Sequence, residues 1–187
     1  MAVYHSTAPL TPQILTLCRG PEREHLTSSA HAPHDVLDTP LGKVGLLVCW
    51  DLAFPEAFRE LIAQGAKIII IPTFWKLSDC TSAGLALNPR AEALFLDSVI
   101  TARCFESTCA VVLTNAGGPV EKGFAGLSQI TVPFIGPLAK LEGSEEGMAV
   151  ADLDMSVVEE AERCYKVRGD LEREDWHYEY RHVKGKL

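Results

Sequence analysis

Positive charge is scarce in this chain: 17 Lys and Arg stand against 25 Asp and Glu in 187 residues, a formal net charge of −8. Phosphate binding draws on clustered Lys and Arg, so no nucleic-acid partner is expected. Long apolar runs are lacking too. No stretch is long enough to cross a bilayer, and Met1-Ala2-Val3-Tyr4-His5 lacks the basic-then-apolar order of a secretory signal. The default expectation is a soluble, cytoplasmic protein without membrane contact. The six cysteines have no close regular spacing, which points to reduced thiols rather than a disulfide framework. Cys18, Cys80, Cys104, Cys109 and Cys164 read as small packing residues. Repeats and low-complexity segments are absent.

Hydrophobic residues make up 47% of the chain, enough for a sizeable core in one globular domain or most of one. The acids gather late, between Glu142 and Glu179, where a solvated face is expected. Residues 36–43 predict a short strand entering a turn and Val44 to Val48 the strand leaving it, together a hairpin. Pro55 to Ala63 places Ala57, Phe58, Leu61 and Ile62 at helical spacing, with Gly65 as the stop. Four consecutive isoleucines between Ala66 and Pro72 predict a strand buried on both faces. Pro89 opens a long helix to about Glu106 whose apolar face holds Ala93, Leu94, Leu96, Val99 and Ile100. Cys109 to Thr114, Ser128 to Phe134 and Met148 to Leu153 read as further strands, Val157 to Cys164 as a helix, and Asp170 to His182 as a tail leaving the core. The alternation implies an α/β architecture with helices covering a sheet.

One residue carries the chemistry. In Val44-Gly45-Leu46-Leu47-Val48-Cys49-Trp50-Asp51-Leu52-Ala53-Phe54-Pro55-Glu56 a strand stops at a thiol and a helix starts just beyond it. The carboxyl ends of strands are where open α/β sheets place their sites, and there the Trp50 amide is positioned to face a developing oxyanion. A buried cysteine at a strand end is also an ordinary packing residue. Position alone leaves both readings open.

The wider pattern says more. Asp38-Thr39-Pro40-Leu41-Gly42-Lys43-Val44-Gly45 through Cys49-Trp50-Asp51-Leu52-Ala53-Phe54-Pro55-Glu56 resembles the nucleophile region of the nitrilase, or carbon-nitrogen hydrolase, superfamily. The likeness extends to Gly65-Ala66, Ile71-Pro72-Thr73-Phe74-Trp75, Ala102-Arg103-Cys104-Phe105-Glu106 and Asn115-Ala116-Gly117-Gly118, from about Pro21 to the C-terminal tail. The resemblance implies an α-β-β-α sandwich that forms dimers or larger homo-oligomers. It also implies hydrolysis of a nitrile or non-peptide amide, without a cofactor, through a thioimidate or acyl-enzyme on Cys49. In such a site a glutamate base, a lysine and a second glutamate orienting the lysine serve the thiol. Glu22 stands where the second glutamate falls, with Glu24 a close competitor.

Here the chain departs from the pattern. The lysine is expected several residues before Glu22, yet Ile14-Leu15-Thr16-Leu17-Cys18-Arg19 contains none, and the first lysine is Lys43. Arg19 is no substitute, since a guanidinium differs in reach and proton chemistry. The base glutamate is expected farther upstream still. Residues 1–20, with Pro9, Pro12 and no strand-helix unit, are set apart as an atypical segment. Residues 21–169 then form a partial hydrolase domain and 170–187 a tail. Two explanations follow: a shortened or mis-spliced product of an ordinary enzyme, or a retained inactive interaction protein within oligomers of a complete homologue. Under either, an uncovered sheet edge or apolar face predicts poor solubility or a partner.

Other residues take supporting parts. Phe74 and Trp75 are candidates for lining the substrate pocket, Trp50 for the oxyanion site, and Asn115 for ordering the site loop. Arg103 and Glu106, one helical turn apart, are expected to pair as structure or subunit contact. Asp51 and Glu56 suit the amino end of the helix after Cys49. His25, His31 and His34 with Cys18 match no established zinc spacing, so no metal is expected.

Overall fold

The computed structural model describes residues 33–176. Residues 1–20 and the candidates Cys18, Arg19, Glu22, Glu24, His25 and His31 lie outside the described residues. The expected hairpin forms: β1 (Leu37–Thr39) runs antiparallel to β2 (Gly42–Leu46), with Leu37 opposite Val44. Gly42 adopts φ +93°, a conformation that a side chain would strain, and the turn closes with Thr39 Oγ1 donating to Gly42 O at 2.7 Å.

β3 (Ile68–Thr73) and β4 (Ala110–Asn115) extend the sheet in parallel, and β5 (Gln129–Val132) and β6 (Gly136–Lys140) complete it as an antiparallel meander. The spatial order follows the chain order from β1 to β6. α1 (Pro55–Ala63) and α3 (Ala91–Ser107) cover one face, where Phe58, Leu61, Ile62, Leu96 and Ile100 pack on Ile69, Ile71, Val111 and Leu113. α1 lies so close to β2 that a Cβ on Gly45 would sit 2.7 Å from Leu61 Cδ1. α2 (Ser82–Leu87) lies between them in sequence. On the opposite face α4 (Met155–Tyr165) buries Val158 against Val44, Ile68, Ala110 and Val132. α5 (Val167–Leu171) returns to the first face, and Arg168 donates to Ala66 O at 2.8 Å and to Thr108 O at 3.1 Å.

Several expectations are corrected. The isoleucine strand is not buried evenly: Ile69 and Ile71 are sealed under the helices, while Ile70 is half-buried and Pro72 exposed on the face that α4 covers only at its Ile68 end. The long helix starts at Ala91, and its buried face runs Glu92, Ala93, Leu96, Ile100, Arg103, Cys104 and Ser107, leaving Leu94 exposed. β6 was hidden in the sequence by Gly136 and Pro137, and α2 and α5 by their shortness. The tail does not leave the core at Asp170, because Leu171 packs on it.

Met148 to Leu153 does not form a strand. Its alternation is real, with Met148 and Val150 exposed and Ala149, Ala151 and Leu153 turned partly inward. A ladder also needs a second row of donors and acceptors, and among the described residues no backbone pairs with this segment. Beside it, a cavity of about 330 Å³ is lined by Val112, Thr114, Ile130, Leu141 and Met148. No helix among the described residues is long and apolar enough to cross a membrane.

Candidate active site around Cys49

The carboxyl ends of the parallel strands β2, β3 and β4 deliver Cys49, Phe74 with Trp75, and Asn115 to one edge of the sheet. After β2, the Leu47 amide makes one more bond to Ile70 O at 3.1 Å, and the chain then turns sharply into a 3₁₀ turn, Cys49–Ala53. Cys49 opens that turn at φ +48°, in the left-handed region that a residue with a Cβ rarely occupies. The turn is tied at its start by Asp51, which is buried: Val48 N donates to Asp51 Oδ2 at 3.0 Å and Asp51 N donates to Val48 O at 3.0 Å. Asp51 therefore locks the turn that Cys49 opens rather than the amino end of α1, where exposed Glu56 sits.

Aromatic rings lie beside the turn. Trp50 stacks on Phe95 at 5.8 Å between centroids and lies 5.4 Å from Trp75, which in turn stacks on Phe95 at 5.6 Å. Trp75 is buried, and its indole donates to the buried Glu92 carboxylate at 2.6 Å. Its backbone is held by Asn115: Trp75 N donates to Asn115 Oδ1 at 2.8 Å, while Asn115 Nδ2 donates to Trp75 O at 3.2 Å and Gly126 O at 2.8 Å. The Asn115 amide thus bridges the end of β3 to the loop before β5. Phe74 points elsewhere: it is 55% exposed, meets Phe124 edge-on at 5.5 Å, and has Lys76 Nζ 5.4 Å from its ring.

The sequence reading missed Phe95 and Glu92. Their signal was the spacing of Glu92, Leu96, Ile100 and Arg103, steps of three or four residues that put a carboxylate on the buried stripe of α3.

The sequence profile described as carbon-nitrogen hydrolase matches residues 15–163. The chain belongs to the carbon-nitrogen hydrolase family. It is 31% identical over 135 residues to a probable nitrilase of Schizosaccharomyces pombe, covering 72% of this chain and 44% of that protein. The crystal structure of a carbon-nitrogen hydrolase from Helicobacter pylori G27 superposes with a TM-score of 0.72 at 22% identity, over 89% of this chain and 57% of that one. An amidase from Nesterenkonia sp. AN1, solved as a mutant with the acetamide moiety of fluoroacetamide covalently added at its active-site cysteine, superposes at 0.58 with 26% identity, over 83% and 54%. The chain spans about half the length of these relatives. The nitrilase-like α/β fold expected from the sequence is borne out.

Within this member of the family the thiols differ sharply. Burial pushes the Cys109 thiol up to about 12, and burial followed by the neighbouring Cys109 raises Cys104, whose Sγ donates to Thr131 O at 3.4 Å. Both are inert packing groups, as expected. Cys164 is exposed and does not pack. Cys49 and Cys80 are half-buried. Lys43, the first lysine, lies at the far end of β2 and donates to Gln64 O at 2.9 Å. Lys43 stands six positions before Cys49, a reach of up to roughly 20 Å at about 3.3 Å per residue, and its ammonium is committed at the end of β2 away from that thiol.

Proposed function

We propose that this chain carries a cysteine-dependent hydrolase site for non-peptide carbon-nitrogen bonds, acting on an amide or nitrile with Cys49 as nucleophile. The observation that carries the reading is the left-handed Cys49 at the carboxyl end of a parallel strand, fixed by Asp51 within a 3₁₀ turn. Family membership and the covalently modified cysteine of the Nesterenkonia amidase support it. On an amide, the Cys49 sulfur attacks the carbonyl carbon and the C=O electrons move to oxygen, a charge that the Trp50 N–H is assigned to stabilise. The proton of the thiol passes to the departing nitrogen, so collapse expels ammonia and leaves a thioester on Cys49. Water then cleaves the thioester to the carboxylic acid and restores the thiol. Glu22 is assigned the orienting carboxylate. Trp50 and Trp75 are assigned to the substrate side, with Asn115 holding Trp75 in place, and Phe74, which faces Phe124 and Lys76, is left out of it.

A second reading is an inactive interaction protein within an oligomer of homologues. It is favoured by the absence of lysine from Ile14 to Arg19 and by the commitment of Lys43 to Gln64 at the far end of β2. One experiment separates the two. Purified protein and Cys49→Ala are incubated with a panel of aliphatic and aromatic amides and nitriles, and ammonia release is measured. Release by the parent alone supports the hydrolase, whereas equal background from both proteins refutes it.

A further inference from the structure

Asp51 ties the start of the nucleophile turn, and a different residue ties its end. Arg103, on α3 and buried, donates from Nε to Leu52 O at 3.0 Å and from Nη2 to Ala53 O at 2.9 Å. These are the last two carbonyls of the 3₁₀ turn that Cys49 opens. A guanidinium is the one side chain whose planar fork satisfies two adjacent carbonyls at once. The fork is itself held: Nη1 pairs with Glu106, and the guanidinium carbon lies 5.5 Å from the centre of the Phe58 ring on α1. Three elements, α1, α3 and the turn, therefore converge on one cation.

We propose that Arg103 is a positioning residue for the Cys49 nucleophile, an inference that rests on the hydrolase reading for its consequence in turnover but not for its test. The left-handed backbone at Cys49 is strained for a residue with a Cβ and persists only where its surroundings hold it. Asp51 and Arg103 hold it from both ends. With the Arg103 bonds gone, the turn relaxes toward negative φ and the Cys49 sulfur swings off its aim. A displacement of about 1 Å at a reacting atom costs roughly 100-fold in rate.

The test uses Arg103→Lys and Glu106→Gln in the full chain, read three ways. The first is the alkylation rate of Cys49 by iodoacetamide from pH 6 to 10, resolved from the other thiols by peptide mass spectrometry. The second is kcat and KM for ammonia release from whichever panel amide the parent hydrolyses. The third is cooperative melting. Lysine reaches one carbonyl but not both, so Arg103→Lys is expected to melt cooperatively and to alkylate at Cys49 at least about 5-fold differently from the parent, with Cys80 and Cys164 unchanged. Its kcat falls roughly 10- to 100-fold with KM within about twofold. Glu106→Gln, which frees the fork without removing it, gives a smaller change in the same direction and covers the case in which Arg103→Lys does not fold. Parent-like alkylation of Cys49 in the folded variants overturns the proposal, as does a change shared equally by all thiols, which would mark Arg103 as a stability residue only. If the parent releases no ammonia but the Cys49-specific alkylation change is seen, the hydrolase reading falls and the positioning role stands.

Discussion

The indole N–H of Trp75 donates to Glu92 Oε2 at 2.6 Å, joining the end of β3 to the first turn of α3 through two buried side chains. A carboxylate at this depth is tolerated only with donors around it. Replacing Glu92 by Leu leaves the indole without this acceptor, and a buried unsatisfied donor costs about 1–3 kcal/mol. Glu92→Leu is therefore expected to lower the urea midpoint of unfolding clearly, while Glu92→Gln, which keeps an acceptor oxygen, loses less. Equal midpoints for the two variants would contradict the assignment.

Asn115 yields a sharper contrast because its amide uses both ends. Its Oδ1 accepts from Trp75 N while Nδ2 donates to the carbonyls of Trp75 and Gly126. Asn115→Asp is nearly isosteric yet replaces a double donor with an oxygen facing two carbonyls. The expected loss is at least about 2 kcal/mol at neutral pH, beyond what a lost neutral hydrogen bond costs. It should shrink as acid protonates the new carboxyl and restores a donor. Chemical denaturation at pH 7 and pH 4, each relative to the parent at the same pH, reads the difference.

These two networks also show what was legible in the sequence. The hairpin at Gly42, the helix after Pro55, the isoleucine strand and the turn at Cys49 could be read because local periodicity and turn residues encode them. Glu92 and Arg103 were not legible as site-supporting groups, because their partners lie 17 and about 50 residues away and depend on how α3 docks on the sheet. The pairing of Arg103 with Glu106 was foreseen, but not the two turn carbonyls that give it meaning. Met148 to Leu153 failed for the opposite reason: its local pattern is that of a strand, and pairing is a property of two segments.

The buried thiols predict a loss of stability in alkali. Cys109 is pushed up to about 12 from an ordinary value of 9.0, and Cys104 moves the same way. Below pH 9 both are neutral whether the chain is folded or not, and their contribution is constant. Between pH 9 and about 12 the unfolded chain releases these protons while the folded one retains them, so the unfolded state binds fewer and stability falls as pH rises. The slope approaches about 1.4 kcal/mol per pH unit for each thiol. Cys109→Ala should flatten the decline in denaturation midpoint above pH 9, and a decline as steep as the parent's would show that another group dominates it.

The segment from Met148 to Leu153 predicts association. Met148 and Val150 present exposed apolar side chains on a segment whose backbone pairs with nothing among the described residues. The adjoining face of the sheet carries half-buried Ile70 and exposed Pro72 beside the cavity under Met148. Extended backbone with free donors, acceptors and apolar side chains is a template for edge-to-edge pairing. A charge at the exposed position interrupts such pairing at little cost to the fold, since an exposed substitution usually stays within about 0.5 kcal/mol. Val150→Lys is therefore expected to lower light scattering and raise the soluble yield, with a melting midpoint close to the parent's. The swap Val150→Thr, which keeps strand propensity, should do far less. If lysine and threonine leave scattering equally high, the association runs through another surface.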